Sequence, residues 1–568
     1  MKNYILPFVL ASAATTAIAQ TDKSRPNIIL ILADDMGYSD LGSYGSEIRT
    51  PNLDRLAAEG TRFSEFYNNS ISAPTRASLI TGQYQHKAGV GYFANNLGLP
   101  AYQGYINNES LTFAEVLQQG GYHTYLSGKW HVSGREGGKE VSQPWQRGFE
   151  HSYNINNGSY FDQGDYIPAN ASAEQKAAAE KRKRPYLKDG LPVSLDPGSY
   201  YATDLITDNA IDYINGQNGD KPFVLYLAYT APHWPLHALP EDIARYKGVY
   251  DEGWDVIRQR RFEKQKQLGL IPQDAVLPDN EDNNYDWSKL SYDRRKEWVK
   301  KMEVYAAMVD RLDQGVGKVL DALKSKGLDD NTLIIFLSDN GAPAEDMVRW
   351  HDGAQRNSGP IGTIGSSESQ SRNWSHLSNT PLRAYKDYVY EGGIRTPFIA
   401  WYPGKVKAGR IVRGAGHIID LAPTFYDLAG VSYPKEYNGI KSNDLHGKSL
   451  LPVLIQGREE VERDEPLCWE RAGNRAIRQG KWKLESHWPN YTWELFDLEA
   501  DPGETRNVAS RNHEVVSRLS QAYFRWAEEN GVVDFRYLES KEPKSMKAFR
   551  QSKKQDLSSE IPAQKLVK

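Results

Sequence analysis

Four apolar runs along this chain never alternate with polar positions: Ile28-Ile29-Leu30-Ile31-Leu32-Ala33, Phe223-Val224-Leu225-Tyr226-Leu227-Ala228, Thr332-Leu333-Ile334-Ile335-Phe336-Leu337-Ser338 and Pro397-Phe398-Ile399-Ala400-Trp401. A strand with one wet face alternates, so unbroken runs predict strands covered on both sides, as in a parallel sheet. Helical spacing lies between them. Thr50-Pro51-Asn52-Leu53-Asp54-Arg55-Leu56-Ala57 opens on a capping residue and an early proline, and 202–215 and 298–327 keep apolar residues on one face. The last of these closes on Lys324, Lys326 and Gly327. Strands alternating with helices predict an α/β fold, a large doubly wound mixed or parallel sheet flanked by helices. Ligands of such sheets bind beyond the carboxyl ends of the strands. Asp34-Asp35, His233 and Asp339-Asn340 all stand at such ends.

Three polar stretches interrupt this pattern. Residues 171–197 carry Lys181-Arg182-Lys183-Arg184, read as solvated surface, and 241–292 are rich in charge and tryptophan. Residues 353–378, rich in Gly, Ser and Asn, predict a long loop near the active face. Past residue 440 the texture changes. Short antiparallel strands over 468–484 and 491–498 and a helix over 513–530 predict a smaller C-terminal α+β domain on a short antiparallel sheet. At the start, Lys2 precedes an apolar run over 5–19 that ends in Ala17-Ile18-Ala19, the pattern of a cleaved signal peptide. The expected division is a signal peptide at 1–19, a catalytic α/β domain at 20–440, the α+β unit at 441–540 and a flexible tail at 541–568.

With 568 residues, 39% of them apolar, the chain can bury a large core. A net charge of −4 offers no global field for nucleic acid or a membrane surface, so an anionic substrate needs a local cationic pocket. The single cysteine, Cys468, excludes an intramolecular disulfide and reads as a small buried hydrophobe.

The run Ser72-Ala73-Pro74-Thr75-Arg76-Ala77-Ser78-Leu79-Ile80-Thr81-Gly82 fits (Cys/Ser)-x-Pro-x-Arg followed by a Leu-rich, Thr-Gly stretch. As plain structure it is a helix start with Pro74 in the first turn. As chemistry it resembles the maturation motif of the formylglycine-dependent sulfatases, type I, in the serine form of bacterial arylsulfatase-like proteins of the alkaline phosphatase superfamily. Gly128-Lys129-Trp130-His131 is similar to a second motif of that family, although Val132-Ser133-Gly134 departs from its usual continuation. Ala231-Pro232-His233-Trp234-Pro235, Asn379-Thr380-Pro381-Leu382-Arg383 with Lys386, and Glu391-Gly392-Gly393-Ile394-Arg395-Thr396-Pro397 extend the likeness, as do 417–423 and Leu495-Phe496-Asp497-Leu498. The likeness therefore covers nearly the whole chain and implies an alkaline-phosphatase-like fold.

Four hard oxygen donors, Asp34, Asp35, Asp339 and Asn340, favour calcium or magnesium over zinc. The resemblance implies one calcium ion in preference to magnesium, held by these residues and the group formed from Ser72. The two-zinc phosphatase relatives have Asp-His where this chain has Asp339-Asn340. The resemblance further implies that Ser72 is oxidised to formylglycine, whose hydrate attacks sulfur to give a covalent sulfo-enzyme. Arg76 then holds that residue and the metal ligands, while Lys129 and Lys386 neutralise the sulfate oxygens. His233 and Lys386 assist the leaving oxygen, and His131 takes the proton that lets sulfate depart. His237 is a further candidate for substrate contact. The expected function is hydrolysis of sulfate monoesters by an exported bacterial enzyme, periplasmic or secreted. Its expected partners are a sulfated carbohydrate or aryl sulfate and a maturation enzyme acting on Ser72, with no nucleic acid and no membrane. Terminal sulfated galactose of host mucin-type glycans is the narrower substrate expectation. The competing readings are a phosphomonoester or phosphodiester hydrolase of the same superfamily and a non-catalytic binder of sulfated glycans.

Overall fold

Two-sided burial is what the apolar runs achieve, at the centre of one large sheet. The computed structural model describes residues 25–155, 158–219, 221–279, 284–348, 357–542 and 547. Its main sheet uses β1 (Asn27–Asp34), β2 (Thr61–Tyr67), β3 (His123–Gly128), β4 (His151–Asn154), β5 (Tyr186–Lys188), β6 (Leu191–Val193), β7 (Phe223–Pro232), β8 (Thr332–Ser338), β9 (Arg395–Trp401) and β10 (Arg410–Val412), with β11 (Gly416–His417) beside β2. The spatial order is β10-β2-β9-β8-β1-β7-β3-β4-β5-β6. From β8 to β4 all neighbours are parallel. The fourth apolar run does form a strand, β9, but it lies antiparallel to both β8 and β2, which makes the sheet mixed.

Alternate residues of β1 serve opposite faces. Ile29 and Ile31 pack with α1 (Pro51–Glu59), α5 (Ala202–Asn215) and α7 (Tyr292–Ser325). Ile28, Leu30 and Leu32 pack with α2 (Ser72–Thr81), α3 (Phe113–Gln119) and α9 (Leu421–Ala429). The register sets Asp34 opposite Pro232 and Ala33 opposite Ser338, so the carboxyl ends of β1, β7 and β8 finish level. All chemistry discussed below grows from that edge.

The polar stretches prove more ordered than their composition suggests. Residues 171–197 contain α4 (Ala173–Arg182) and the β5-β6 hairpin, which extends the sheet edge. Residues 241–292 contribute α6 (Trp254–Gln267), whose Trp254 and Arg261 are buried. The expected loop 353–378 instead ends in α8 (Ser371–Ser378). Trp374 of α8 is fully buried, edge-on to Trp254 at 5.4 Å and to Tyr250 at 5.6 Å. Its indole N–H donates to the Trp298 carbonyl at 2.8 Å. Ser and Asn favour turns over helix in isolation, and one buried tryptophan overrides that preference here. The helix expected over 298–327 starts earlier, at Tyr292.

After residue 440 comes a four-stranded antiparallel meander, β12 (Leu467–Arg471), β13 (Asn474–Gln479), β14 (Trp482–Ser486) and β15 (Trp493–Asp497), covered by α10 (His513–Glu529). Cys468 is buried in its core. Trp469 donates its indole N–H to the Asn68 carbonyl at 2.8 Å, tying this sheet to the loop before Ser72. Among the described residues no helix is long and apolar enough to cross a membrane. Residues 1–19, 353–356 and most of the tail from 541 lie outside the described residues.

Candidate active site

Regular strand geometry would send Asp34 and Asp35 to opposite faces. Asp35 instead takes a left-handed conformation with φ 68°, and both carboxylates enter one crevice. The pair after β8 meets them there: the Asp35 backbone N–H donates to Asp339 Oδ1 at 3.2 Å, and Asn340 Nδ2 donates to Asp35 Oδ1 at 2.6 Å. Close backbone contact brings the late segment alongside. A Cβ on Gly341 would sit 1.8 Å from the Gly392 carbonyl oxygen, so only glycine fits.

Ser72 is the first residue of α2, and Arg76 returns to it one turn later. Arg76 Nε donates to Ser72 Oγ at 2.9 Å, and Nε and Nη2 reach Asp339 Oδ2 at 3.1 and 2.9 Å. Its Nη1 donates to the Lys129 carbonyl at 2.9 Å, and the whole guanidinium is buried. His131, itself at φ 65°, places Nδ1 3.2 Å from Ser72 Oγ, with Phe93 edge-on to its ring. Lys129 Nζ donates to Asp34 Oδ2 at 2.6 Å and Lys386 Nζ to Asp35 Oδ2 at 2.9 Å. His233 Nε2 lies 3.5 Å from Asp35 Oδ2. Its Nδ1 faces the Trp234 carbonyl at 2.5 Å, and since a carbonyl only accepts, Nδ1 carries the proton. The structure thus brings together ten of the eleven residues singled out in the sequence: Asp34, Asp35, Ser72, Arg76, Lys129, His131, His233, Asp339, Asn340 and Lys386.

His237 is engaged elsewhere. It is 1% exposed, its Nε2 meets the Ser366 carbonyl at 2.9 Å, and burial pushes its pKa down to about 4. Glu345 was not foreseen: it lies 3.5 Å from Lys386 Nζ, and only its position shortly after Asp339-Asn340 hinted at a role. A further unforeseen link is Arg471 on β12, whose Nε donates to Asp387 Oδ1 at 2.7 Å, next to Lys386.

Burial alone would raise both aspartates. For Asp34 the Lys129 and Arg76 charges overcome it and hold the carboxyl below the usual range. For Asp35 burial wins over Lys386, helped by the charges of Asp34, Glu345 and Asp339, and its pKa rises to about 7. Burial, then Lys129 and Arg76, push His131 well down; burial, then Lys386 and Lys129, do so for His233. Both imidazoles are neutral at neutral pH. The cage also has unspent acceptors. Asp34 Oδ1 and Asn340 Oδ1 are buried without a hydrogen-bond partner, and ligand atoms of Asp34, Asp35 and His233 lie within 4.8 Å of one another. Buried oxygens left in this state are costly, and a hard divalent cation satisfies them.

The sequence model of the sulfatase family matches residues 26–431. This chain belongs to the sulfatase family. A second model, N-sulphoglucosamine sulphohydrolase, C-terminal, matches residues 384–529 of the sulfatase. The arylsulfatase of Klebsiella aerogenes is 35% identical over 78% of this chain and 93% of its own length. The N-acetylglucosamine-6-O-sulfatase of Bacteroides thetaiotaomicron is 28% identical over 89% of this chain and 86% of its own. The solved structure of Ps i-CgsB in complex with k-i-k-neocarrahexaose superposes with TM-score 0.66 at 28% identity, over 94% of this chain and 99% of that one. The mixed sheet with its smaller antiparallel companion is the fold of these sulfatases, and the enzyme is a sulfuric ester hydrolase.

The raised Asp35 gives a pH signature. Without a cation this carboxyl keeps its proton to about pH 7 when folded, but only to about 4 when unfolded. The ion-free sulfatase therefore loses stability through Asp35 as pH rises across that window, because the unfolded chain gives up its proton first. Asp35→Asn has no such proton. In chelator, its melting temperature relative to wild type should climb between about pH 5 and about pH 8; a constant difference in calorimetry contradicts this reading of Asp35.

Proposed function

We propose that this sulfatase hydrolyses sulfate monoesters of carbohydrates, using a formylglycine made from Ser72 and one calcium ion in the Asp34, Asp35, Asp339 and Asn340 cage. The observation that carries the reading is the placement of Ser72 Oγ between Arg76 and His131, at 2.9 and 3.2 Å, beside the oxygen cage. Relatives named N-acetylglucosamine-6-O-sulfatase and N-acetylgalactosamine-6-sulfatase support a sulfated sugar as substrate. The apolar start at 1–19 supports export to a bacterial periplasm or beyond. Substrate choice then falls to the polar stretches and the region beyond residue 440.

Each residue has a part that follows from its position. The formylglycine supplies, once hydrated, an oxygen nucleophile at position 72. The calcium ion supplies positive charge beside the sulfate oxygens. Lys129 and Lys386 flank the crevice and draw the anionic group in, since their own carboxylate partners are shared with the ion. Arg76 fixes position 72 and Asp339 together. Neutral His131, with Nδ1 facing position 72, takes a proton from there. His233, anchored through Nδ1, presents a bare Nε2 on the Lys386 side of the cage. The negative charge of the bound ester favours its protonation, and that nitrogen, with the Lys386 ammonium, then delivers a proton to the departing sugar oxygen.

Mass spectrometry of the native Ser72 peptide should find it two hydrogens lighter than serine, and Ser72→Ala should lose turnover while keeping its melting temperature. An unmodified peptide in fully active enzyme overturns the reading. Parallel assays on sulfate and phosphate esters, including sulfated galactose and 6-sulfated N-acetylglucosamine, then place the substrate.

Removing the ion should lower both activity and melting temperature, because an ion bound only by the folded state stabilises it by mass action. Calcium should restore both and zinc should not restore activity.

A sugar alkoxide leaves far less readily than a nitrophenolate, so it depends more on proton donation. His233→Ala should lose roughly 10²-fold or more in rate on a sugar sulfate and much less on nitrophenyl sulfate. Equal losses on both substrates would remove His233 from the leaving-group role.

A further inference from the structure

A second group of acids lies on the C-terminal sheet, away from the strand ends of the main sheet. Glu485 on β14 and Glu494 on β15 are directly opposed in the antiparallel register. Like charges in that arrangement destabilise a sheet. Glu485 has a fully buried side chain, and neither of its carboxylate oxygens has a hydrogen-bond partner. The nearest ammonium, Lys483 Nζ, is 3.5 Å away, and it is already engaged by Glu504 and by Glu391 at 3.1 Å. Lys483 is thus shared by three buried carboxylates; Arg395 also reaches Glu391 at 3.4 Å, and the Arg383 charge is felt at Glu485, yet neither Glu485 oxygen gains a hydrogen bond. His487, just past β14, brings Nε2 to 3.5 Å from Glu485 Oε1, and that nitrogen also lacks a hydrogen-bond partner. One ligand atom from each of Glu485, His487 and Glu494 lies within 4.8 Å of the others.

We propose that Glu485, His487 and Glu494 form a second divalent-cation site of this sulfatase, distinct from the cage at Asp34 and Asp35. Two carboxylates with one imidazole favour a zinc-class ion over calcium, which prefers oxygen donors alone. The site has an entrance, since the His487 side chain is 20% exposed and Glu494 is partly exposed. Its position gives it a purpose. The His487 ring stacks on Tyr390 at 4.2 Å, and Tyr390 precedes Glu391, the partner of Lys483. An ion here joins two strands of the C-terminal sheet and orders the ring that packs on the segment carrying Lys386.

The test uses full-length wild type, His487→Ala and Glu494→Gln, each held in saturating calcium so that the Asp34 cage is filled, then equilibrated with zinc chloride and desalted. Elemental analysis should find one zinc equivalent more in wild type than in either variant. Zinc should also raise the melting temperature of wild type by a few degrees and of the variants not at all. Equal zinc content in all three proteins overturns the proposal and leaves a proton as the occupant of Glu485. If both variants fail to fold, wild type alone decides. Diethyl pyrocarbonate should label His487 in zinc-free protein, zinc should protect it, and labelling unchanged by zinc overturns the site.

Discussion

Three carboxylates at the ends of two adjacent buried strands are the constraint around which this molecule is arranged. Asp34, Asp35 and Asp339 are each at most 1% exposed, and charges so far from water are tolerated only when compensated. The compensation is drawn from distant parts of the chain: Arg76 from α2, Lys129 from the end of β3, and Lys386 from the segment before β9. Each pairing fixes an element against the sheet edge. The Arg76 fork in particular ties α2 to β8, and so sets where Ser72 stands. The electrostatic need and the placement of the reactive position are one arrangement.

That arrangement also explains why opposite behaviours arise a few ångströms apart. Asp34 faces two strong cations and stays ionised, whereas Asp35 shares Lys386 with Glu345 and holds its proton up to about pH 7. Burial, helped by neighbouring cations, keeps His131 and His233 neutral. A site with neutral bases beside fixed ammonium groups suits an anionic ester: charge complements the substrate, and the imidazoles remain able to take up protons.

The sequence was legible wherever one physical rule acted alone. Burial on both faces erases alternation, so β1, β7 and β8 were readable from their apolar runs, and the polar pairs at their ends marked the crevice. Strand direction leaves no such trace, which is why the antiparallel course of β9 could not be read from Pro397-Phe398-Ile399-Ala400-Trp401. Composition misled at α8, where a single tryptophan in a Ser- and Asn-rich stretch is buried among Trp254 and Tyr250. It also concealed the β5-β6 hairpin, whose strands are too short for a pattern. Ten residues that the structure gathers in one crevice were legible because family-like motifs and strand ends coincide. Glu345, Arg471 and the opposed pair Glu485 and Glu494 were not, since their meaning lies in pairings across the fold that local spacing does not encode.

Every residue of α2 is buried, Ser72 included. In the finished molecule the peptide around Ser72 is coiled into a helix and sealed beneath the sheet edge, with Trp469 of the C-terminal sheet closing over the loop before it. The formylglycine of the proposed function therefore calls for access to Ser72 that the folded chain does not offer.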